Sequence, residues 1–318
     1  MRISIVCPVH DTPPSLIAAA ARSVLHDPSG AIRQLILVDD GSRREDTSRT
    51  LVQIAATDPR VMLLQAPDRL GPASARNLGL AVAREDWIGF LNPEDAWLPG
   101  HPARLCRVAA AHPGAAWISA RHLLVSPAGD SERARGLASP AARRLADDLL
   151  GLEGPDLTRL LLSEGWLHLG ASVVRRELAR EVSFGEGLHH FEDHLFLARL
   201  STRAPLHYVE ADGYAARCTE PGLRVKARRL PSAALAMYRL AARDRMLRGF
   251  RREIGSARRA AANGVALGSL MAGRRWQALA MALHAWSQDP REVAELLLFL
   301  RLWRRGAGVA QRFMTRRA

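Results

Sequence analysis

Two acidic clusters, about fifty residues apart, are the part of this sequence best suited to chemistry. Each follows an apolar run: the first reads Asp39-Asp40-Gly41-Ser42 and the second reads Asn92-Pro93-Glu94-Asp95. The apolar runs predict buried strands, so the carboxylates stand where a strand leaves its sheet. Ligands bind at that carboxyl edge in open α/β sheets. Carboxylates there suit hydrogen bonds from hydroxyls or bases, or a hard divalent cation.

Alternating strand and helix patterns position both clusters. Apolar strand patterns cover residues 3–8, 32–38, 61–65 and 87–91, and helical patterns separate them. This order predicts an α/β fold, with a mostly parallel sheet and helices on both faces.

Weaker patterns continue the chain after the second cluster. They predict strands over 115–125 and 167–174 and short strands over 206–209 and 214–217. Residues 126–156 are rich in Ala, Arg, Gly and Pro and predict a surface excursion.

Charge separates the C-terminal part from the rest. The net charge of the 318 residues is +13, but residues 224–318 hold 21 Arg and Lys against 5 Asp and Glu. We therefore expect a first domain over 1–223 and a basic helical region over 224–318. No nucleic-acid-binding motif accompanies the charge, so no nucleic-acid partner is expected.

The basic region has two interpretations that the sequence leaves open. Residues 296–305 mix aliphatic side chains, Trp303 and arginines, which suits an amphipathic helix at an anionic membrane surface. The alternative is a set of packed helices with solvated arginines.

Cysteine usage and the N-terminus predict the compartment. Cys7, Cys106 and Cys218 are odd in number and far apart, which favours neither a disulfide framework nor a metal site. Residues 1–6 run directly into a strand without a signal-peptide pattern. We expect a cytoplasmic protein, with a peripheral position at the inner face of the membrane if the basic region binds lipid.

Four segments, taken in order, resemble family 2 glycosyltransferases with the GT-A fold: 5–11, 38–42, 71–79 and 90–99. The resemblance covers roughly residues 1–217, and four motifs at family spacing are more specific than any one of them. It implies a GT-A fold with a helical C-terminal extension. It also implies inverting transfer of a sugar from a nucleotide-diphosphate sugar, most simply a UDP-sugar, to an acceptor hydroxyl. Such acceptors are often lipid-linked, in cell-surface polysaccharide or glycolipid synthesis.

The resemblance implies a nucleoside site near the first cluster. Pro8, Val9 and Asp11 would line the base pocket, and Asp39 and Asp40 would accept hydrogen bonds from the base or ribose. The open alternative is that the two aspartates only cap a turn before the next helix.

The second cluster would face the diphosphate. By resemblance, Glu94 and Asp95 would hold Mn²⁺ or Mg²⁺, and Glu94 also belongs to the donor site. Asn92 stands where the family has an acid, and Thr219 stands where some relatives have a histidine, so we expect weak metal binding. Arg76 could pair with a carboxylate of the site or with a phosphate; a surface arginine on an amphipathic helix is the alternative.

Residues 184–196 resemble the family segment that carries the general base. The resemblance implies that Asp193 takes the proton of the acceptor hydroxyl, with Glu192 beside it. His190 and His194 are four residues apart and leave a metal site as an open alternative.

A class-distinct alternative is a degenerate GT-A module that binds nucleotide without turnover. Asn92 and Thr219 favour that interpretation, whereas Asp193 and the Asp39-Asp40 pair favour an active enzyme.

Overall fold

The computed structural model describes residues 1–163, 166–218, 220–271, 274, 276, 278 and 279. The chain divides into two compact units, Met1–Glu220 and Pro221–Ala318, three residues before the predicted boundary. Thr219 and residues 296–305, on which two of the expectations depend, lie outside the described residues.

Among the residues that the structure describes, the strands all belong to the first unit. They are β1 Ile3–Val9, β2 Ile32–Asp40, β3 Val61–Ala66, β4 Trp87–Phe90, β5 Ala96–Trp97, β6 Trp117–Val125, β7 Ser131–Arg133, β8 Arg143–Ala146, β9 Leu149–Leu152, β10 Ser172–Arg175 and β11 Leu206–Arg217.

The helices occur in both units. They are α1 Pro14–Leu25, α2 Glu45–Thr57, α3 Pro72–Val82, α4 His101–Ala111, α5 Gly154–Ser163, α6 Arg176–Val182, α7 Glu192–Leu200, α8 Glu220–Ala241 and α9 Arg251–Met271, with 3₁₀ turns at Leu169–Ala171 and Arg248–Phe250.

One sheet organises the first unit. Its strand order is β3-β2-β1-β4-β10-β6-β11-β9-β8, with β5 paired to β11 and β7 paired to β6. Strands β3, β2, β1 and β4 are parallel neighbours, and β10 runs antiparallel between β4 and β6. The predicted α/β fold with a mostly parallel sheet is confirmed.

Both faces of the sheet are covered, and the side chains of β1 show it. Ile3, Ile5 and Cys7 join a core cluster with residues of α1, α2 and α4, whereas Val6 joins a cluster with residues of α3, α5, α6 and α7. Strand side chains alternate between faces, so a strand covered on both sides must be apolar at nearly every position. Gly79 lets α3 approach β1 closely, because a Cβ there would lie 2.4 Å from Val6 Cγ1.

The predicted surface excursion over 126–156 is only partly an excursion. It contains β7, β8 and β9, and the buried leucines of β9 pair antiparallel with β11. The pattern was too short and too interrupted by polar residues to reveal this strand. Residues 206–217 form one strand with irregular register near Asp212, rather than two strands. The strand predicted over 167–174 begins later, at Ser172, after a 3₁₀ turn.

The described part of the second unit is helical, as predicted. Leu235 of α8 is buried in a cluster with Ala262 of α9, and Pro231 of α8 lies against Gly264. Exposed arginines crowd the segment that runs from the end of α8 into the first turn of α9: Arg243, Arg245, Arg248, Arg251 and Arg252. None of the helices in the described residues is both long enough and apolar enough to cross a bilayer.

The first unit contains a buried histidine whose ring makes no hydrogen bond. His101, the first residue of α4, is fully buried, and neither ring nitrogen has a hydrogen-bond partner. Its ring meets Trp97 edge-on at 4.7 Å between centroids. Burial, assisted by the nearby Arg104 charge, lowers the pKa of His101 from 6.5 to about 3.

Because the folded state holds His101 neutral, the unfolded state binds more protons at acid pH. The contribution of this site to stability is therefore complete above pH 6.5 and is lost as the pH falls toward about 3. We expect the free energy of unfolding of wild type to fall by up to about 1.4 kcal/mol per pH unit relative to His101→Phe in this window. Urea denaturation between pH 4 and 7 measures the difference. His26→Asn, at an exposed histidine, is the control, and parallel curves for wild type and His101→Phe would contradict the prediction.

Candidate active site

The parallel strands bring the two acidic clusters to one edge of the sheet. Strands β2, β1 and β4 are adjacent, so Asp39 and Asp40 at the end of β2 lie at the same edge as the segment 92–95 that follows β4. Pro8 and Val9 end β1 between them and are buried, with Val9 paired to Asp39. The three loops at this edge form the candidate active site.

Both aspartates of the first cluster accept hydrogen bonds from their own and neighbouring loops. Asp40 is 2% exposed; its Oδ1 accepts from Leu70 N–H at 2.6 Å and its Oδ2 from Gly71 N–H at 3.0 Å. Asp39 Oδ1 accepts from Ser42 N–H at 3.0 Å. The pair therefore shapes two loops of the site. This role is compatible with a nucleoside contact, since a carboxylate has about four acceptor positions.

Asp11 connects the loop after β1 to the start of α2. Its Oδ1 accepts from Arg43 N–H at 2.7 Å and Arg44 N–H at 2.9 Å, and its φ of +47° is in the left-handed region. The main-chain N–H of Arg44, and then that of Arg43, lower the pKa of Asp11. Asp11 thus stays ionised in the loop that follows β1.

Arg76 is buried at the centre of the edge. It is 6% exposed, and its Nη1 donates to Glu192 Oε1 at 2.6 Å while its Nη2 donates to Asn92 Oδ1 at 3.0 Å. Its guanidinium lies 5.5 Å from the ring centroid of Phe184. The planar fork therefore joins the second acidic cluster to the first residue of α7. The surface-arginine alternative does not apply.

Asp95 is the most enclosed carboxylate of the second cluster. It is 3% exposed; Oδ2 accepts from Tyr214 O–H at 2.8 Å and from Asn92 Nδ2 at 2.8 Å, and Oδ1 accepts from Arg217 N–H at 2.7 Å. Asn92 N–H in turn donates to Tyr214 Oη at 3.2 Å. Strand β11 and the segment after β4 are thereby fixed to one another.

These contacts bear on the predicted cation. Asp95 already accepts three hydrogen bonds, and Asn92 Oδ1 is occupied by Arg76. Glu94 is half-buried, and its main-chain carbonyl accepts from Arg217 Nη1 at 3.3 Å. In the described residues, no group of three or more His, Cys, Asp or Glu is arranged to hold a metal ion. His190 and His194 therefore do not belong to such a group. As arranged, the residues do not fit a resident cation.

Helix α7 presents Asp193 at its first turn. Asp193 is partly exposed, and its Oδ1 accepts from His194 N–H at 2.8 Å, which suits a carboxylate at a helix N-terminus. Phe191 precedes the helix with a φ of +64°. Asn77 of α3 secures the loop before it: its amide donates to Phe184 O at 3.0 Å and accepts from Phe184 N–H at 2.9 Å. Two side chains of α3, Asn77 and Arg76, therefore orient the loop before α7 and the first residue of that helix.

Sequence reasoning gave no role to the aromatic support of Asp95. Tyr214 is fully buried, and burial followed by the Asp95 charge raises its pKa well above 10, so it donates as a neutral phenol. His168 stacks on Tyr214 at 4.6 Å, and His122 lies 5.2 Å from His168. A tyrosine three residues before Arg217 was visible in the sequence, but its partner on another strand was not.

A family profile matches the part of the chain that contains most of the candidate site. A sequence profile described as Glycosyl transferase family 2 matches residues 4–136, which include the two acidic clusters and Arg76. Over these residues the chain is similar to glycosyltransferase family 2. The predicted resemblance is confirmed.

Named relatives share parts of the chain. Succinoglycan biosynthesis protein ExoU of Rhizobium meliloti is 28% identical over 208 residues, which are 63% of this chain and 57% of that protein. Human polypeptide N-acetylgalactosaminyltransferase 10 is 34% identical over 109 residues, 33% of this chain and 18% of that protein. The chain thus spans little more than half the length of ExoU and about a fifth of the length of the human protein.

Solved structures show the same fold. The structure of S. aureus TarS residues 1–349 has a TM-score of 0.60 at 17% identity, covering 90% of this chain and 81% of that one. TarS in complex with UDP-GlcNAc gives the same TM-score at 14% identity, covering 89% and 84%. At these identities the likeness establishes the GT-A fold alone.

The Arg76–Glu192 pair generates a stability prediction. Arg76→Met leaves the Glu192 carboxylate buried and unpaired, which we expect to lower the free energy of unfolding by about 3–5 kcal/mol. Glu192→Gln in the same chain should recover part of this loss, because the uncompensated charge disappears. Urea denaturation of wild type, both single variants and the double variant measures the coupling. Arg76→Lys keeps the charge but not the fork, and should fall between. A change below about 0.5 kcal/mol for Arg76→Met would contradict the ion pair.

Proposed function

We propose that this protein transfers a sugar from a nucleotide-diphosphate sugar to an acceptor hydroxyl. The buried Arg76 fork is the observation that carries the proposal. It joins Asn92, beside the second acidic cluster, to Glu192, the neighbour of Asp193. Donor-side and base-side segments are thereby held in one arrangement before substrate binds, which is what positioning of two reactants requires.

The donor nucleoside would occupy the first cluster. Pro8, Val9 and Asp11 would line the base, and Asp39 or Asp40 would accept from the base or ribose. The rigid loop contacts of these aspartates support this assignment, because a preorganised site loses less entropy on binding. TarS binds UDP and UDP-GlcNAc according to its structures, which supports a UDP-sugar as donor here.

Asp193 would act as the general base. Its carboxylate takes the proton of the acceptor hydroxyl, the oxygen forms a bond to the anomeric carbon, and the bond from that carbon to the diphosphate breaks with the electron pair leaving on the nucleoside diphosphate. One displacement inverts the anomeric centre. Glu192 is buried against Arg76 and has a positioning role, so Asp193 alone has the exposure that a base needs.

No step of this proposal passes through a divalent cation. The cation expected on Asp95 and Glu94 does not fit the residues as they are arranged, because the Asp95 oxygens already accept three hydrogen bonds.

The name of a relative and the charge of the second unit support an acceptor class and a cellular role. ExoU is named for succinoglycan biosynthesis, which supports a role in cell-surface polysaccharide or glycolipid synthesis here. We propose a lipid-linked hydroxyl acceptor at the cytoplasmic face of the membrane. The exposed arginines from the end of α8 into the first turn of α9 support a peripheral position, since such a segment is attracted to anionic lipid.

A donor screen tests the activity itself. Hydrolysis or transfer with UDP-, GDP- and dTDP-sugars should reveal turnover with one nucleotide class, UDP first. Binding of a nucleotide by calorimetry without turnover of any sugar, in the presence of varied acceptors and Mn²⁺, would favour the degenerate module instead.

The base assignment gives a kinetic prediction. Asp193→Asn should keep donor binding and lower the transfer rate by about 10²-fold or more, because the amide cannot take the acceptor proton. Single-turnover transfer and donor calorimetry separate the two effects. Asp147→Asn, at an exposed carboxylate of the same unit, is the matched control. Transfer at the wild-type rate would remove Asp193 from the reaction.

Membrane attachment gives a separate prediction. Full-length protein should sediment with anionic vesicles and not with neutral ones, and added salt should weaken the attraction. Changing Arg243, Arg245, Arg248, Arg251 and Arg252 to Gln should weaken anionic binding strongly, at about 1 kcal/mol per arginine near the surface. The control changes five exposed arginines of the first unit: Arg2, Arg33, Arg43, Arg49 and Arg84. Equal loss from both sets would indicate net charge rather than a localised surface, and no binding to anionic vesicles would contradict the membrane proposal.

A further inference from the structure

Asn92 lies between a cation and an anion of the protein itself. Its Oδ1 accepts from Arg76 Nη2 at 3.0 Å, and its Nδ2 donates to Asp95 Oδ2 at 2.8 Å. An amide is suited to both contacts at once, because it has an acceptor at one end and donors at the other. A carboxylate at this position could keep the contact to Arg76 but could not donate to Asp95.

The contacts extend in both directions from this amide. On one side the Arg76 guanidinium reaches Glu192 at 2.6 Å. On the other side Asp95 accepts from Tyr214 O–H and from Arg217 N–H. Arg76, Glu192, Asp95 and Tyr214 are each 6% exposed or less, whereas Asn92 is partly exposed, so these bonds are made largely away from bulk water. Buried polar groups require such partners, and here each carboxylate has them from the protein alone.

An acid at position 92 would change this balance. Two carboxylates would then face each other across the 2.8 Å that the amide now spans. Carboxylates at such a separation cannot both stay ionised on their own: either one of them binds a proton or a cation lies between them. The residue at position 92 therefore determines whether the segment 92–95 is held by hydrogen bonds alone or needs a cation.

We propose that the Asn92 amide stands in for a cation, so that the segment 92–95 is assembled without metal and a single change, Asn92→Asp, makes its assembly metal-dependent. The inference deepens the proposed function and rests on it for the donor-side role of this segment. It is tested by measuring thermal stability and metal binding, and no sugar transfer has to be observed.

Thermal unfolding of the full-length chain without donor tests the proposal. The variants are wild type, Asn92→Asp, Asn92→Asp with Asp95→Asn, and Gln53→Glu, which adds a carboxylate at an exposed position of α2. In EDTA, Asn92→Asp should melt about 5 °C below wild type, and Mn²⁺ should restore it. Wild type and Gln53→Glu should not respond to Mn²⁺, and the double variant should lose the response because one carboxylate of the pair is gone.

Two results would overturn the inference. One is a saturable Mn²⁺ site on wild type, detected by electron paramagnetic resonance and abolished by Asp95→Asn. The other is an Asn92→Asp variant that melts like wild type in EDTA and ignores Mn²⁺. If Asn92→Asp does not fold in EDTA, the wild-type titration decides alone: a saturable site abolished by Asp95→Asn contradicts the inference, and its absence supports it. Absence of sugar transfer in wild type would contradict the proposed function while leaving these measurements intact.

Discussion

A buried positive charge governs the arrangement of the site. Arg76 is surrounded by protein, so its charge must be matched by groups that are also buried. Glu192 supplies the opposite charge and Asn92 a neutral acceptor, and the two lie 100 residues apart in sequence. Since a guanidinium fork is planar and rigid, the two partners have little freedom in direction. The geometry of the loop after β4 and of the first turn of α7 follows from satisfying one side chain.

The supports around this pair are mostly of the same kind. Asn77 holds the main chain of Phe184 by two hydrogen bonds, and Asp40 holds the loop at Leu70 and Gly71. Each contact ties a loop at the carboxyl edge to a residue in or next to a regular element. Polar side chains thus add to the apolar packing of residues such as Phe184 in holding these loops in place.

The sequence predicted the first half of the fold well because β1 to β4 are buried on both faces. Continuous apolar runs separated by helical patterns leave few alternatives, and the acidic clusters fall at the ends of those runs. The second half was less accessible. Strand β9 has only four residues and owes its place to pairing with β11, a partner more than fifty residues later. Local patterns do not report such pairings.

The site showed the same division. The apolar runs before them indicated Asp39, Asp40 and Asp95 as candidates, and the family resemblance indicated Asp193. Partners were not predictable, since Tyr214 meets Asp95 only through the sheet order. For Glu192 the sequence suggested a catalytic neighbour, whereas its contacts in the structure are those of an anchor.

The contact between Arg217 and Asp95 has a consequence for how this protein tolerates variation. The donor is the main-chain N–H of Arg217, so every amino acid except proline supplies it. Replacing the side chain at position 217 would therefore hardly affect this hydrogen bond, although the Asp95 carboxylate depends on it. Contacts made by main-chain groups, such as this one, therefore stabilise the site without being detected by mutational scanning, because they depend on the backbone conformation alone.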